Sequence, residues 1–184
     1  MDDVGELLRR VREHDAAAMD ELVAVLYPDL RRMAQARLAQ NGAITLLDTS
    51  AMVNESYLRL ANAARIDAVC RGQFLAYASQ VMRSVLVDFA RKGRAERRGG
   101  AAAQVTLTTD LIDGLASSDD DIERVHEALN ELQKTDPRLK SVVEMRYFGG
   151  FEDKEIAEAL GVAERTVRRD WERARLLLLV ALKK

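Results

Sequence analysis

Only 2 prolines and 10 glycines interrupt the 184 residues, and most of them gather at a few places. Between those places apolar residues recur at three- and four-residue steps, the period of a helix. The chain is therefore expected to be all-α. Two helices are predicted over 4–12 and 16–39, the second carrying Leu22, Leu26, Leu30, Met33 and Leu38. Pro28 either kinks that helix or opens a new turn. After a loop at 40–47, Met52, Val53, Tyr57, Leu58 and Leu60 mark a third helix, which Asp48, Thr49 or Ser50 is suited to cap. A short segment over 65–72 leads into a fourth helix with Phe74, Tyr77, Val81, Val85 and Phe89 on one stripe.

Composition then shifts. Arg91, Lys92, Arg94, Arg97 and Arg98 form a basic run broken by Glu96, and Gly99 and Gly100 end it. Residues 101–118 lack long apolar periodicity and Asp119, Asp120 and Asp121 follow, so this stretch is expected to be a flexible linker. Beyond it Ile122, Val125, Leu129 and Leu132 mark one helix, and Asp136 before Pro137 signals the start of another that holds Leu139, Val142, Val143 and Tyr147. Gly149 and Gly150 stop it. The last segment, a short helix over 152–160, a turn at Gly161 and a helix over 164–182, has the parts of a helix-turn-helix. Ile156, Ala157, Leu160, Val162 and Val167 are its expected core. Arg165, Thr166, Arg168 and Arg169 then face outward near the start of the second helix, where DNA-reading helices make their contacts. The competing reading is a solvated face balanced by Glu164, Asp170 and Glu172; the glycine turn and the apolar spacing favour DNA.

Charge and composition exclude several classes. The formal net charge is −2, and Cys70 is the only cysteine, which removes an intrachain disulfide and starves a cysteine-based zinc site. No run approaches the ~18 apolar residues of a membrane span, and the first residues lack a hydrophobic signal core, so a cytoplasmic protein without membrane insertion is expected. With only His14 and His126, no G-x-S-x-G, no H-E-x-x-H and no phosphate-cradling glycine loop, no enzyme, cofactor or metal site is expected. His126, among Glu123, Arg124 and Glu127, is expected to be exposed, and Trp171 to anchor the last helix in its core.

The order DTSAMVNESYLRL, then FLAYASQVMRSVLVDFARKGR, then VVEMRYFGGFEDKEIAEALGVAERTVRRDWERAR resembles an RNA polymerase sigma factor of the extracytoplasmic-function (ECF) class of the sigma-70 family. The resemblance covers nearly the whole chain. It implies two small helical domains: a four-helix sigma2-like domain at 1–98 that binds core RNA polymerase and the minus-10 element, and a four-helix sigma4-like domain at 121–184 whose helix-turn-helix reads the minus-35 element. A flexible linker at 99–120 joins them. Minus-35 contacts are expected from Arg165, Thr166, Arg168, Arg169 and Arg173. By the same resemblance the loop at 65–73 captures a flipped minus-10 base, with Arg65, Asp67, Arg71 and Gln73 as its polar groups. Arg83 and Ser84 match positions that hold the melted strand, and Arg91 and Arg94 belong to the basic extension, which suits phosphate contact. In the linker, Asp110, Asp113 and Asp119–Asp121 either occupy a basic polymerase channel or serve as a solubilising spacer.

The chain departs from the family at the acidic cluster D-A-E-D that meets the polymerase clamp. Here the residues are DTSA: Asp48 and Glu55 remain for polymerase binding, while Ser50 and Ala51 replace two carboxylates. Missing charge weakens an encounter. Phosphorylation of Thr49 or Ser50 by a Ser/Thr kinase would restore it, adding about −1.5 to −2 charges beside the positive end of a helix dipole. Equally, the hydroxyls serve only as helix caps. Inhibition by an anti-sigma factor is the other expected control. The competing function is a stand-alone helix-turn-helix transcriptional regulator, which predicts tight operator binding by the free protein.

Overall fold

Three of the helices begin at a capping residue placed just before them. The computed structural model describes residues 3–15, 17–40, 47–63, 65–97 and 119–182, all of the regular structure among them being helical. The N-terminal half contributes α1 (Asp3–Arg12), α2 (Ala18–Gln40), α3 (Thr49–Ala61) and α4 (Arg71–Arg97). α2 runs through Pro28 without ending. The cap of α3 is Asp48, whose carboxylate accepts from the Ala51 backbone N–H at 2.7 Å, so neither Thr49 nor Ser50 is needed for that task. α4 continues through the basic run to Arg97.

The C-terminal half contributes α5 (Asp119–Thr135), α6 (Pro137–Val143), α7 (Asp153–Leu160) and α8 (Glu164–Leu182). α5 begins at Asp119, so the acidic triplet opens a helix instead of closing the preceding stretch. Residues 98–118, which carry most of the expected linker with Asp110 and Asp113, lie outside the described residues, as do 41–46 of the expected loop. Asp136 caps α6 by accepting from the Leu139 N–H at 3.2 Å, with Pro137 in the first turn. α6 passes into a π-helical turn, Glu144–Phe148. Glu152 and Glu155 form a capping box at the start of α7. Gly161 ends α7 with φ +65°, the left-handed conformation that a Cβ disfavours.

The two halves share one hydrophobic core. α4 lies between them. Its expected stripe is partly right: Phe74, Val81 and Val85 are buried, and Tyr77 and Phe89 are half-buried. Leu75, Met82, Leu86 and Val87 are buried too, on other faces of the same helix, because α5, the π turn and α7 cover what α2 and α3 leave open. At its start α4 comes so close to α7 that a Cβ on Gly72 would stand 2.8 Å from the Cβ of Ala159.

Candidate nucleic-acid interface

Two sets of cations were assigned to nucleic acid, and the fold treats them oppositely. On α8, Val167, Asp170, Ala174, Leu178 and Leu182 turn inward at three- and four-residue spacing. That stripe leaves Arg165, Arg168, Arg169 and Arg173 outside, with Thr166 half-buried. The turn core forms as expected: Ile156, Ala157 and Val167 are buried, while Leu160 and Val162 pack partly against them.

These four outward arginines are lightly held. The Arg168 guanidinium reaches Asp153 at 3.3 Å and Glu164 at 3.1 Å, with 66% of its side chain exposed. Arg169 stands 3.7 Å from Asp170 and Arg173 3.5 Å from Asp136, their side chains 73% and 65% exposed. Arg165 has no partner among the described residues. Exposed pairs of this kind contribute ~0–1 kcal/mol and are screened by salt, so these cations can be surrendered to phosphates at little cost. Asp170 is different: buried, it accepts from Arg138 Nε at 2.7 Å and ties α8 to α6. Trp171 is half-buried and lies under the Arg146 guanidinium, 4.8 Å from its ring centre.

The loop at 65–73 exposes Arg65, Asp67, Val69, Arg71 and Gln73 and buries Ile66 and Ala68. Arg65 pairs with Asp67, both largely exposed, and Arg71 pairs with Asp29 of α2. The Gln73 side-chain carbonyl accepts from the Val69 N–H at 2.9 Å, which orders the loop against the start of α4. Arg65, Asp67, Gln73 and Tyr77 line one cleft of about 310 Å³, polar groups beside a flat ring. A larger cleft of about 450 Å³ lies on the other side of Arg65, bounded by Val11, Arg12, His14 and Leu60.

Farther along α4 the assigned residues are already occupied. Arg83 is 6% exposed. Its Nε stands 2.9 Å from Glu144 Oε1 of the π turn, and its Nη1 lies 2.8 Å from His126 Nδ1 of α5. The Ser84 hydroxyl accepts from Arg59, whose other nitrogen pairs with Asp88 at 2.7 Å. Arg91 pairs with Glu123 at 3.0 Å, and the Arg94 side chain lies outside the described residues. His126 is thus corrected from exposed to half-buried: α4 packs on α5 and brings Arg83 onto its ring. Burial first, then Arg83 and Arg91, hold its imidazolium below the ordinary histidine range.

Sequence reasoning missed Glu144 and Arg37. Glu144 is 0% exposed, between Arg83 and Lys140 Nζ at 3.4 Å. Arg37 of α2, 1% exposed, lays its guanidinium over Tyr147 at 4.1 Å and Phe148 at 4.7 Å. One signal was present: α4 is apolar on several faces, which demands a second covering layer.

At the other end of the N-terminal half, Asp48 is exposed and Glu55 half-buried. Thr49 is half-exposed and Ser50 exposed in the first turn of α3, and neither hydroxyl makes a hydrogen bond among the described residues.

An all-helical fold with an open, cation-bearing helix-turn-helix is of the class that DNA-binding proteins use. The family profile described as ECF sigma factor matches residues 1–184, and the chain belongs to that family. ECF sigma factors act in promoter-specific transcription initiation, bind core RNA polymerase and promoter DNA, and are not generally enzymes. No curated protein matches the chain. Among the described residues no helix is long and apolar enough to cross a membrane, and no group of metal-ligating side chains is assembled.

Proposed function

We propose that this chain directs core RNA polymerase to its own set of promoters from the cytoplasm, with residues 1–98 as the sigma2-like part, 99–120 as the linker and 121–184 as the sigma4-like part. Arg165, Thr166, Arg168, Arg169 and Arg173 contact the minus-35 element. The loop that carries Arg65, Asp67, Arg71 and Gln73 takes a minus-10 base, and Arg83, Ser84, Arg91 and Arg94 hold the melted strand once they are released. The reading rests above all on one observation: the exposed row of α8 cations behind a glycine turn, in a chain matched along its length by the ECF family. Run-off transcription tests it. Core polymerase alone should start at background sites, and adding the protein should create discrete start points that Arg168→Ala weakens. Tight operator binding by the free protein, with no effect on polymerase, would instead establish a stand-alone regulator.

Docking on polymerase uses Asp48 and Glu55, and phosphorylation supplies the charge that DTSA lacks. The cap reading of the hydroxyls loses its ground, because Asp48 caps α3 and Thr49 and Ser50 stand free of that role. A phosphate on either would face the first-turn N–H groups of α3, where an anion gains about 0.3–1 kcal/mol. Thr49→Glu with Ser50→Glu should raise promoter-reporter output above the Thr49→Ala, Ser50→Ala pair. Equal output from both pairs would remove the kinase and leave an anti-sigma factor as the route of control.

A further inference from the structure

The seam between the halves holds a charge arrangement that stability does not explain. Arg83 and Glu144 approach at 2.9 Å, yet neither Arg83 Nε nor either Glu144 oxygen makes an aligned hydrogen bond. Lys140 adds a second cation at 3.4 Å, so one carboxylate serves two positive charges out of water. Burial works against both charges, pushing the Glu144 carboxyl up and Arg83 down, and each partner's charge opposes that push on the other. A buried pair with poor hydrogen bonding adds little net stability, and apolar residues would fill the space as well or better. Breaking it from one side is costly, because the abandoned charge stays buried.

The same seam collects arginines of the N-terminal half on acids of the C-terminal half. Arg91 meets Glu123, and Arg32 meets Glu155 at 3.3 Å with Phe151 beneath it. Arg83 and Arg91 are both cations that the proposed function gives to the melted strand. In the closed chain their partners are carboxylates, which offer the charge that phosphates would offer. The α8 cations, by contrast, stay open.

We propose that Glu144 is the latch of a self-inhibited free state: it withdraws Arg83 from nucleic acid by pairing with it in the seam between the halves, and the seam parts before α4 meets DNA. The DNA arm of this inference rests on the assignment of Arg83 to the melted strand; the latch itself does not. Closure and strand binding compete for one guanidinium. The free protein therefore offers α8 but not the full α4 surface, and its affinity for single strands is reduced by the fraction of molecules that are open.

Two variants of the full chain open the seam by independent means. Glu144→Gln keeps the shape and removes the anion, which leaves Arg83 and Lys140 buried without one. Gly72→Ala leaves every charge in place and drives a methyl group against Ala159, where its Cβ would stand 2.8 Å from another Cβ and 3.0 Å from a backbone carbon. Solution X-ray scattering measures the radius of gyration, and fluorescence anisotropy measures binding to labelled oligodeoxythymidine. Both variants should scatter as larger particles with helical circular dichroism retained, and should bind the strand about tenfold more tightly. Larger particles with unchanged strand affinity would keep the latch and refute the assignment of Arg83 to DNA. Compact particles from Gly72→Ala, and from Glu144→Gln where it stays helical, would overturn the latch whatever the strand affinity shows.

Discussion

α4 and α8 carry the cations that matter most, and they differ in what surrounds them. α8 has one buried stripe and a solvent face, so Arg165, Arg168, Arg169 and Arg173 lie exposed, three of them in loose pairs. α4 is buried on several faces, and Arg83 within it is inaccessible and paired. The same residue type thus performs opposite work: exposed, it is a reagent for phosphate; buried, it is a structural liability that needs an acid beside it. Two helices proposed to meet DNA in one chain need not be available at the same time.

The sharpest way to break this contrast is to remove one charge from each helix. Glu144→Ala should cost ~3–5 kcal/mol in denaturant unfolding, whereas Glu144→Leu combined with Arg83→Met and Lys140→Met, which replaces both cations, should recover most of that loss. If the triple variant is as unstable as the single one, the pair is a stabiliser and the contrast fails. On α8 the effect should appear in function instead. Arg168→Ala or Arg169→Ala should cost ~1–3 kcal/mol in promoter binding by the holoenzyme and lower the salt slope, with the melting temperature of the free protein within a degree or so.

Gly161→Ala tests whether the stance of α8 depends on the turn. Nothing lies within 4 Å of an added Cβ, so the whole penalty is the left-handed backbone at φ +65°, ~1–2 kcal/mol, read by thermal unfolding. Acid should produce the smallest effect, and only at the α4 seam. His126 sits below its ordinary value of 6.5, so its contribution is fully present above that pH and is lost as pH falls. Arg83 and Arg91 oppose its protonation, while Asp88 and Glu123 favour it. A scattering titration should therefore show the seam loosening just below neutrality, and His126→Gln should erase that loosening.

Much of the architecture was legible beforehand because it is written in neighbours. Asp136 followed by Pro137, Gly161 after Leu160 and the three- and four-residue apolar steps act over one or two turns, and each produced the expected helix or stop. The helix-turn-helix and its outward arginines followed from the same local rules. Asp48, Thr49 and Ser50 were equally good caps by residue type; only the backbone path into α3 chose Asp48. His126 was misjudged because its surroundings were taken from its own helix, whereas Arg83 reaches it from 43 residues away.

What the amino-acid sequence determined alone is the set of helices, the stop at Gly161 and the open face of α8, since those depend on periodicity and on contacts within a few residues. Only the tertiary structure decided that α4 is enclosed, that Glu144 meets Arg83, and that Arg37 lies on Tyr147 and Phe148. The physical reason is that a charge acquires its meaning from the dielectric and the partners around it, and both are supplied by segments far away along the chain.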